Sequence, residues 1–206
     1  MTPAELYQKI KVFNEGEDTI ICNLHSACSP WKGKKYVCEL PGSKKPVIDF
    51  DTVKTKADLQ LGIVSRKSVD AITESATGNY VCFVELKSWE LLLAHNGTEE
   101  NVTNQAKKYE SDLPRKLTDS IAICQQVTGD EKAFDKCPII FILVTDISIE
   151  TNPLESFQSN LTALAGSASN LKMLCNELSE KVMNNIPDIE TRYWCCRDFD
   201  ELISSL

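Results

Sequence analysis

Several features that would assign this chain to a particular class of protein are missing from its sequence. No basic segment followed by a long apolar one opens the chain, and no run of 18 apolar residues occurs in it. We therefore expect neither a signal peptide nor a membrane-spanning helix, and a cytoplasmic protein with no membrane contact. No repeat, low-complexity tract or interdomain linker is apparent, so residues 1–206 are expected to form a single domain.

An excess of positive charge is also missing. The formal net charge is -8, which argues against a general nucleic-acid coat protein. The charge is unevenly distributed, because residues 30–70 carry nine basic and five acidic side chains, a net +4 that leaves -12 for the rest. This segment could be a local patch facing phosphate or a set of solvated loop lysines.

Cysteine, in contrast, is abundant, with nine residues that we expect to be mostly reduced in a cytosolic chain. Four side chains of zinc-ligand type occur in the irregular Cys/Lys-rich insertion of residues 22–46: Cys22, His25, Cys28 and Cys38. Their spacing departs from the paired C-x2-C pattern of strong zinc sites, so structural Zn²⁺ stays an open alternative. Four other cysteines lie in apolar stretches and are predicted to be small core residues: Cys82, Cys124, Cys137 and Cys175.

The apolar pattern predicts an α/β fold with a mixed central β-sheet flanked by helices. Strands are predicted over residues 46–53, 68–74, 80–89, 137–146 and 191–196. Helices are predicted over residues 2–14, 98–113, 115–127, 154–185 and 198–206, with Pro114 breaking the second from the third. The long C-terminal helical segment 154–185 could bend at Gly166, and residues 56–65 are ambiguous.

The predicted hairpin places charges inside a buried strand. In "VCFVELKSW" (residues 81–89), Glu85 and Lys87 share one face, and Asp70 lies on the same face of the preceding strand. A two-residue loop at Thr77-Gly78 pairs Asp70 with Glu85, whereas a two-residue loop at Gly78-Asn79 pairs Asp70 with Lys87. Turn chemistry favours the second register. Either register brings the three charges together, and two close carboxylates repel unless a cation lies between them.

The helix after the hairpin carries Gln105 and Tyr109, which share a face because they are four residues apart. The ordered set of Asp70, Glu85-x-Lys87 and a Q-x-x-x-Y motif resembles the PD-(D/E)XK nuclease superfamily, in particular its RecB-like branch. The motifs cover residues 65–110, and the element order extends the resemblance over residues 1–145. The resemblance implies a restriction endonuclease-like core.

The resemblance also implies a role for each motif residue. Asp70 and Glu85 would ligate Mg²⁺ or Mn²⁺ together with the backbone carbonyl of Leu86. Lys87 would orient the attacking water and favour its deprotonated form. Gln105 and Tyr109 would complete the catalytic set, and they would position the metal site or the nucleic-acid backbone.

An additional metal ligand upstream is common in the family, and here the candidates are Glu5, His25 and Glu39, with Glu5 slightly favoured. The chain departs from the family pattern at Val69, which stands where a proline often precedes the aspartate.

The activity expected from the resemblance is metal-dependent hydrolysis of phosphodiester bonds in nucleic acid, DNA rather than RNA. The chain would be an endo- or exodeoxyribonuclease in restriction, repair or phage defence, helped by a protein partner or a homo-oligomer because of its negative charge. Two alternatives stay open: a catalytically reduced subunit of this fold that binds protein or nucleic acid, and a small Cys/His metal-binding adaptor.

Overall fold

The computed structural model describes residues 1–14, 21–23, 43, 45–62, 66–147 and 167–206. Most of the predicted Cys/Lys-rich insertion lies outside these residues, as does the part of the predicted C-terminal helical segment before residue 167, which includes Gly166.

The centre of the fold is a six-stranded mixed sheet whose strands lie in the order of the chain, β1 to β6. The strands are β1 (Ile21–Asn23), β2 (Pro46–Asp49), β3 (Ala71–Glu74), β4 (Val81–Lys87), β5 (Ile139–Thr145) and β6 (Glu190–Cys195). The strands β1 to β4 pair antiparallel, and β4, β5 and β6 pair parallel. The predicted mixed α/β sheet is thereby confirmed.

Six helices flank the sheet within the described residues. They are α1 (Pro3–Asn14), α2 (Phe50–Leu61), α3 (Trp89–Asn96), α4 (Glu99–Thr128), α5 (Ser167–Asn184) and α6 (Phe199–Ser205). In the part of the chain that the structure describes, no helix has both the length and the apolarity needed to cross a membrane.

Both faces of the central strands are buried. Phe83 and Phe141 belong to a cluster of buried side chains that includes residues of α1, α4 and α5. Their neighbours on the other face, Val84 and Ile142, pack in a second cluster with Phe199 of α6. Because β5 is covered on both sides, its sequence is an unbroken apolar run, as expected for a central parallel strand.

The predicted break at Pro114 is wrong, because α4 is a single helix of 30 residues that contains this proline. A proline inside a helix lacks the amide donor to the carbonyl four residues earlier. Here that carbonyl belongs to Glu110, which is exposed, so water can satisfy it. Buried residues on both sides of the proline, Leu113 and Leu117 among them, hold the helix against the sheet.

Two further boundaries differ from the prediction. The strand expected over residues 46–53 ends at Asp49, because the Asp49 carboxylate accepts hydrogen bonds from the amides of Asp51 and Thr52 and so caps α2. Helix α3 was not predicted at all. The hydroxyl of Ser88 caps it by accepting from the amide of Leu91 at 3.1 Å.

Candidate active site

The observed register of the hairpin places Asp70 directly before the pair Ala71 and Val84, and hence opposite Glu85. The amide of Asp70 donates to the carbonyl of Val84 at 3.1 Å. The register favoured by turn chemistry, with Asp70 opposite Lys87, is wrong, and the alternative centred on residues 77–78 is correct.

The reason lies in the loop between the two strands. It contains four residues, 76–79, closed by the pair Ser75 and Tyr80, whereas a two-residue turn was assumed. The Ser75 hydroxyl accepts from the amides of Asn79 and Tyr80 at 3.2 and 3.1 Å. Gly78 adopts the positive φ of 69° that this loop requires. A side chain that satisfies two loop amides therefore stabilises a longer turn than the dipeptide pattern indicates.

Glu85 lies at the centre of the site and is fully buried. Its Oε1 atom accepts hydrogen bonds from the ammonium groups of Lys87 and Lys116, the second at 2.6 Å. Lys116 Nζ also lies 3.7 Å from Oδ1 of Asp70. The other Asp70 oxygen, Oδ2, accepts from the amide of Leu86 at 2.6 Å. Two carboxylates and two ammonium groups thus meet on one face of the sheet.

Helix α4 supplies Lys116, which sequence reasoning missed. Lys116 follows Tyr109 by seven residues and Gln105 by eleven, which are about two and three turns of one helix face. This regular spacing is visible in the sequence, but the expected break at Pro114 separated Lys116 from the Q-x-x-x-Y motif. Treating residues 99–128 as one helix would have placed all three side chains on the same stripe.

The segment before Asp70 is fastened to α4 by hydrogen bonds. The amide of Val69 donates to the buried Ser120 hydroxyl at 3.0 Å, and the amide of Lys67 donates to Asp119 at 2.9 Å. The Lys67 ammonium bonds Asp112 at 2.6 Å, and this hydrogen bond lowers the pKa of Asp112. These contacts hold Asp70 beside Lys116.

Burial and the neighbouring charges shift the protonation of the site. Burial, followed by the negative charge of Asp70, raises the pKa of Glu85 above its usual range. Burial alone would lower the pKa of Lys87, but the charges of Glu85 and Asp70 outweigh it and leave that pKa raised. Lys87 is therefore held as an ammonium ion.

The predicted Q-x-x-x-Y residues lie at the same site. Tyr109 is 5% exposed, and its ring centroid is 5.8 Å from Lys87 Nζ and 5.4 Å from the centroid of the Trp89 ring. Gln105 is hydrogen-bonded to the Tyr109 side chain, whose pKa is raised by burial. The structure therefore brings Asp70, Glu85, Lys87, Gln105 and Tyr109 together.

Asp146, at the end of β5, is a second residue that sequence reasoning missed. Its carboxylate accepts from the Ser88 hydroxyl and from the amides of Trp89 and Glu90, the latter at 2.8 and 3.2 Å. Burial raises its pKa. Asp146 thus anchors the start of α3 and with it Trp89, whose ring supports Tyr109. An acid directly after a buried strand, facing a Ser-Trp-Glu segment, is the signal that could have indicated this contact.

The pair Asp70 and Glu85 fits a hard divalent ion. Both carboxylates lie within 4 Å of one cationic nitrogen, Lys116 Nζ. Within the described residues, Glu85 Oε2 is buried and has no hydrogen-bond partner. Mg²⁺ is commonly held by one or two carboxylates, with water and phosphate oxygens completing its coordination. No group of three or more His, Cys, Asp or Glu side chains suited to a metal occurs among the residues described, so this part of the chain would contribute only the pair and backbone oxygen.

The favoured upstream ligand, Glu5, is not at this site. It forms a capping box with Thr2: the Thr2 amide donates to Glu5 Oε2 at 2.8 Å, and the Glu5 amide donates to the Thr2 hydroxyl. Hydrogen bonds from Thr2 lower its pKa. Glu5 lines a surface cavity with Asp130, which lies two residues beyond the end of α4 at Thr128. That end of the helix is 12 residues from Lys116, about 18 Å along the helix. His25 and Glu39 lie outside the described residues.

The cysteine predictions divide in two. Cys82, Cys124, Cys137 and Cys175 are buried, as predicted. Of the proposed zinc set, the backbone of Cys22 lies in β1, but its side chain and the residues His25, Cys28 and Cys38 fall outside the description.

Comparisons with known proteins found no match to this chain among family models, curated proteins or solved structures. The resemblance to the nuclease superfamily therefore depends on the motif residues and on the geometry that joins them.

Proposed function

We propose that this protein is a metal-dependent nuclease that hydrolyses phosphodiester bonds in nucleic acid, DNA rather than RNA, on a restriction endonuclease-like core. One observation carries the proposal: a hairpin and a helix from separate parts of the chain converge on a single charged cluster that contains Asp70, Glu85 and Lys87. The Q-x-x-x-Y residues of α4 complete it, with Tyr109 packed over Lys87.

The resemblance implies the roles, and the contacts of the cluster are compatible with them. Asp70 and Glu85 would hold Mg²⁺ or Mn²⁺, with the Leu86 carbonyl as a further ligand. The ion would polarise the phosphate and lower the pKa of bound water. Lys87, kept protonated by Glu85 and Asp70, would orient the attacking water and stabilise negative charge on the phosphorus oxygens. Gln105 and Tyr109 hold the Lys87 side of the site in place.

A second candidate function is favoured by Lys116. Because its ammonium balances the second carboxylate, the cluster is neutral without any ion, as in a buried structural ion-pair network. A catalytically reduced subunit that binds protein or nucleic acid would keep such a cluster for stability. The net charge of -8 favours the protein-binding form of this candidate as well, because it disfavours unaided binding of a polyanion.

The two candidates differ in a cleavage assay. The purified chain is incubated with linear, circular and single-stranded DNA and with RNA, in Mg²⁺ or Mn²⁺. We expect cleavage of DNA, and we expect Asp70→Asn to slow it about a hundredfold through loss of a metal ligand. Asp58→Asn is the matched control, since Asp58 pairs with Lys54 on α2; it should cleave like the wild type. Wild-type protein that leaves every substrate intact would favour the binding subunit.

A further inference from the structure

The Lys116 ammonium lies between the two carboxylates that are proposed to hold a divalent ion. Its ammonium nitrogen lies 2.6 Å from Glu85 Oε1 and 3.7 Å from Asp70 Oδ1. Lys87, in contrast, contacts Glu85 alone in this cluster as an ion pair. Lys116 is therefore the group that bridges the pair.

The two lysines also differ in where their chains are attached. Lys87 extends from the last residue of β4, beneath the Tyr109 ring. Lys116 extends from the middle of α4 across to the sheet, and 21% of its side chain is exposed. A lysine side chain has a flexible stem of four carbons, so the Lys116 ammonium can turn toward water while the backbone of α4 stays in place.

We propose that Lys116 is a resident counter-ion that competes with the divalent ion for Asp70 and Glu85, and that ion binding displaces its ammonium toward solvent. The reason is electrostatic, since an ammonium group and a divalent cation repel each other when both contact the same carboxylate oxygens. The ion-free cluster is then held together by Lys116, and its affinity for the ion is set lower than the carboxylates alone would give. This inference rests on the proposed metal site but not on cleavage.

The test is calorimetric titration of Mn²⁺ into the wild type, Lys116→Met, Lys116→Gln and Lys107→Met. Lys107 is exposed on the same helix, so its replacement removes the same charge away from the cluster. Both Lys116 variants should bind Mn²⁺ about tenfold more tightly than the wild type, and Lys107→Met should match the wild type. Adding Asp70→Asn to Lys116→Met should remove the gain.

Thermal unfolding supplies a second measurement on the same proteins. In EDTA, both Lys116 variants should unfold at lower temperature than the wild type, because Glu85 has lost one of its two cations. Mn²⁺ should raise their unfolding temperature more than that of the wild type. Lys116→Gln keeps a hydrogen-bond donor for Glu85 and serves if Lys116→Met does not fold.

Unchanged or weaker Mn²⁺ binding in both Lys116 variants would overturn the inference, as would the absence of binding in every protein. The outcome is separable from the nuclease proposal. If the Lys116 variants bind Mn²⁺ more tightly but the wild type cleaves no nucleic acid, the role of Lys116 is supported and the nuclease proposal is contradicted. Cleavage by the wild type with unchanged affinity in the variants does the reverse.

Discussion

At the scale of single residues, the site is governed by one buried carboxylate. Glu85 has no exposed surface, and its Oε1 atom accepts from two ammonium groups. A buried charge is tolerated when it is paired and hydrogen-bonded. The buried carboxylate in the strand "VCFVELKSW" is therefore explained by two cations, Lys87 from the strand itself and Lys116 from α4.

The raised pKa of Glu85 predicts how stability varies with pH. Because the folded protein holds the Glu85 proton more tightly than the unfolded chain does, the contribution of Glu85 to stability is complete below its unfolded pKa of about 4.5. The contribution is lost as the pH rises through the higher folded pKa. Urea unfolding of the wild type and of Glu85→Gln, from pH 4.5 upward in EDTA, should show the wild type losing stability relative to the variant. A constant difference would contradict the assignment.

The sequence predicted those site residues that belong to a local pattern. Strand alternation placed Glu85 and Lys87 on one face, and the four-residue spacing joined Gln105 to Tyr109. The predicted break at Pro114 separated Lys116 from the site, although Lys116 follows Gln105 and Tyr109 at regular helical spacing. The position of Asp146 directly after a buried strand was a sequence signal, but its partners at residues 88–90 follow from the parallel pairing of β4 and β5, which no short-range pattern specifies.

At the scale of elements, α4 organises the site, because Gln105, Tyr109 and Lys116 all extend from it. The five predicted strands and the helices predicted over residues 2–14 and 198–206 were confirmed, because burial on one or two faces leaves a clear period in the sequence. The short elements β1 and α3 were not predicted, and the other failures were at boundaries. Asp49, Ser88 and Ser75 use side-chain oxygens to satisfy backbone amides, and such caps move a boundary by several residues.

Replacing Pro114 tests whether the helix tolerates the proline or needs it. Pro114→Ala restores an amide donor for the carbonyl of Glu110, and we expect it to stabilise the protein by about 1 kcal/mol. Urea denaturation measures the change, with Lys107→Ala as an exposed control on the same helix. A loss of stability would instead show that the proline sets the direction in which the second half of α4 carries Lys116 to Glu85.

At the scale of the whole molecule, the site lies on the face of the sheet that α4 covers, where the antiparallel and parallel halves meet at β4. The fold class was predictable from the order and period of the elements. The strands follow the order of the chain, but the parallel pairing of β4 with β5 and of β5 with β6 joins segments too far apart for a local pattern to specify. The net charge of -8 repels a polyanion, so it predicts that cleavage is favoured by a partner that supplies positive charge or by salt that screens the repulsion.

The most direct test of the account is the rate of phosphodiester cleavage by the wild type and by Lys87→Ala across a range of Mg²⁺ concentrations, with EDTA as the blank. Lys107→Ala controls for loss of one positive charge on the protein. The account predicts cleavage by the wild type and by Lys107→Ala only when Mg²⁺ is present, and a rate at least about a hundredfold lower for Lys87→Ala. Equal rates for wild type and Lys87→Ala, or no cleavage by the wild type at any Mg²⁺ concentration, would contradict it.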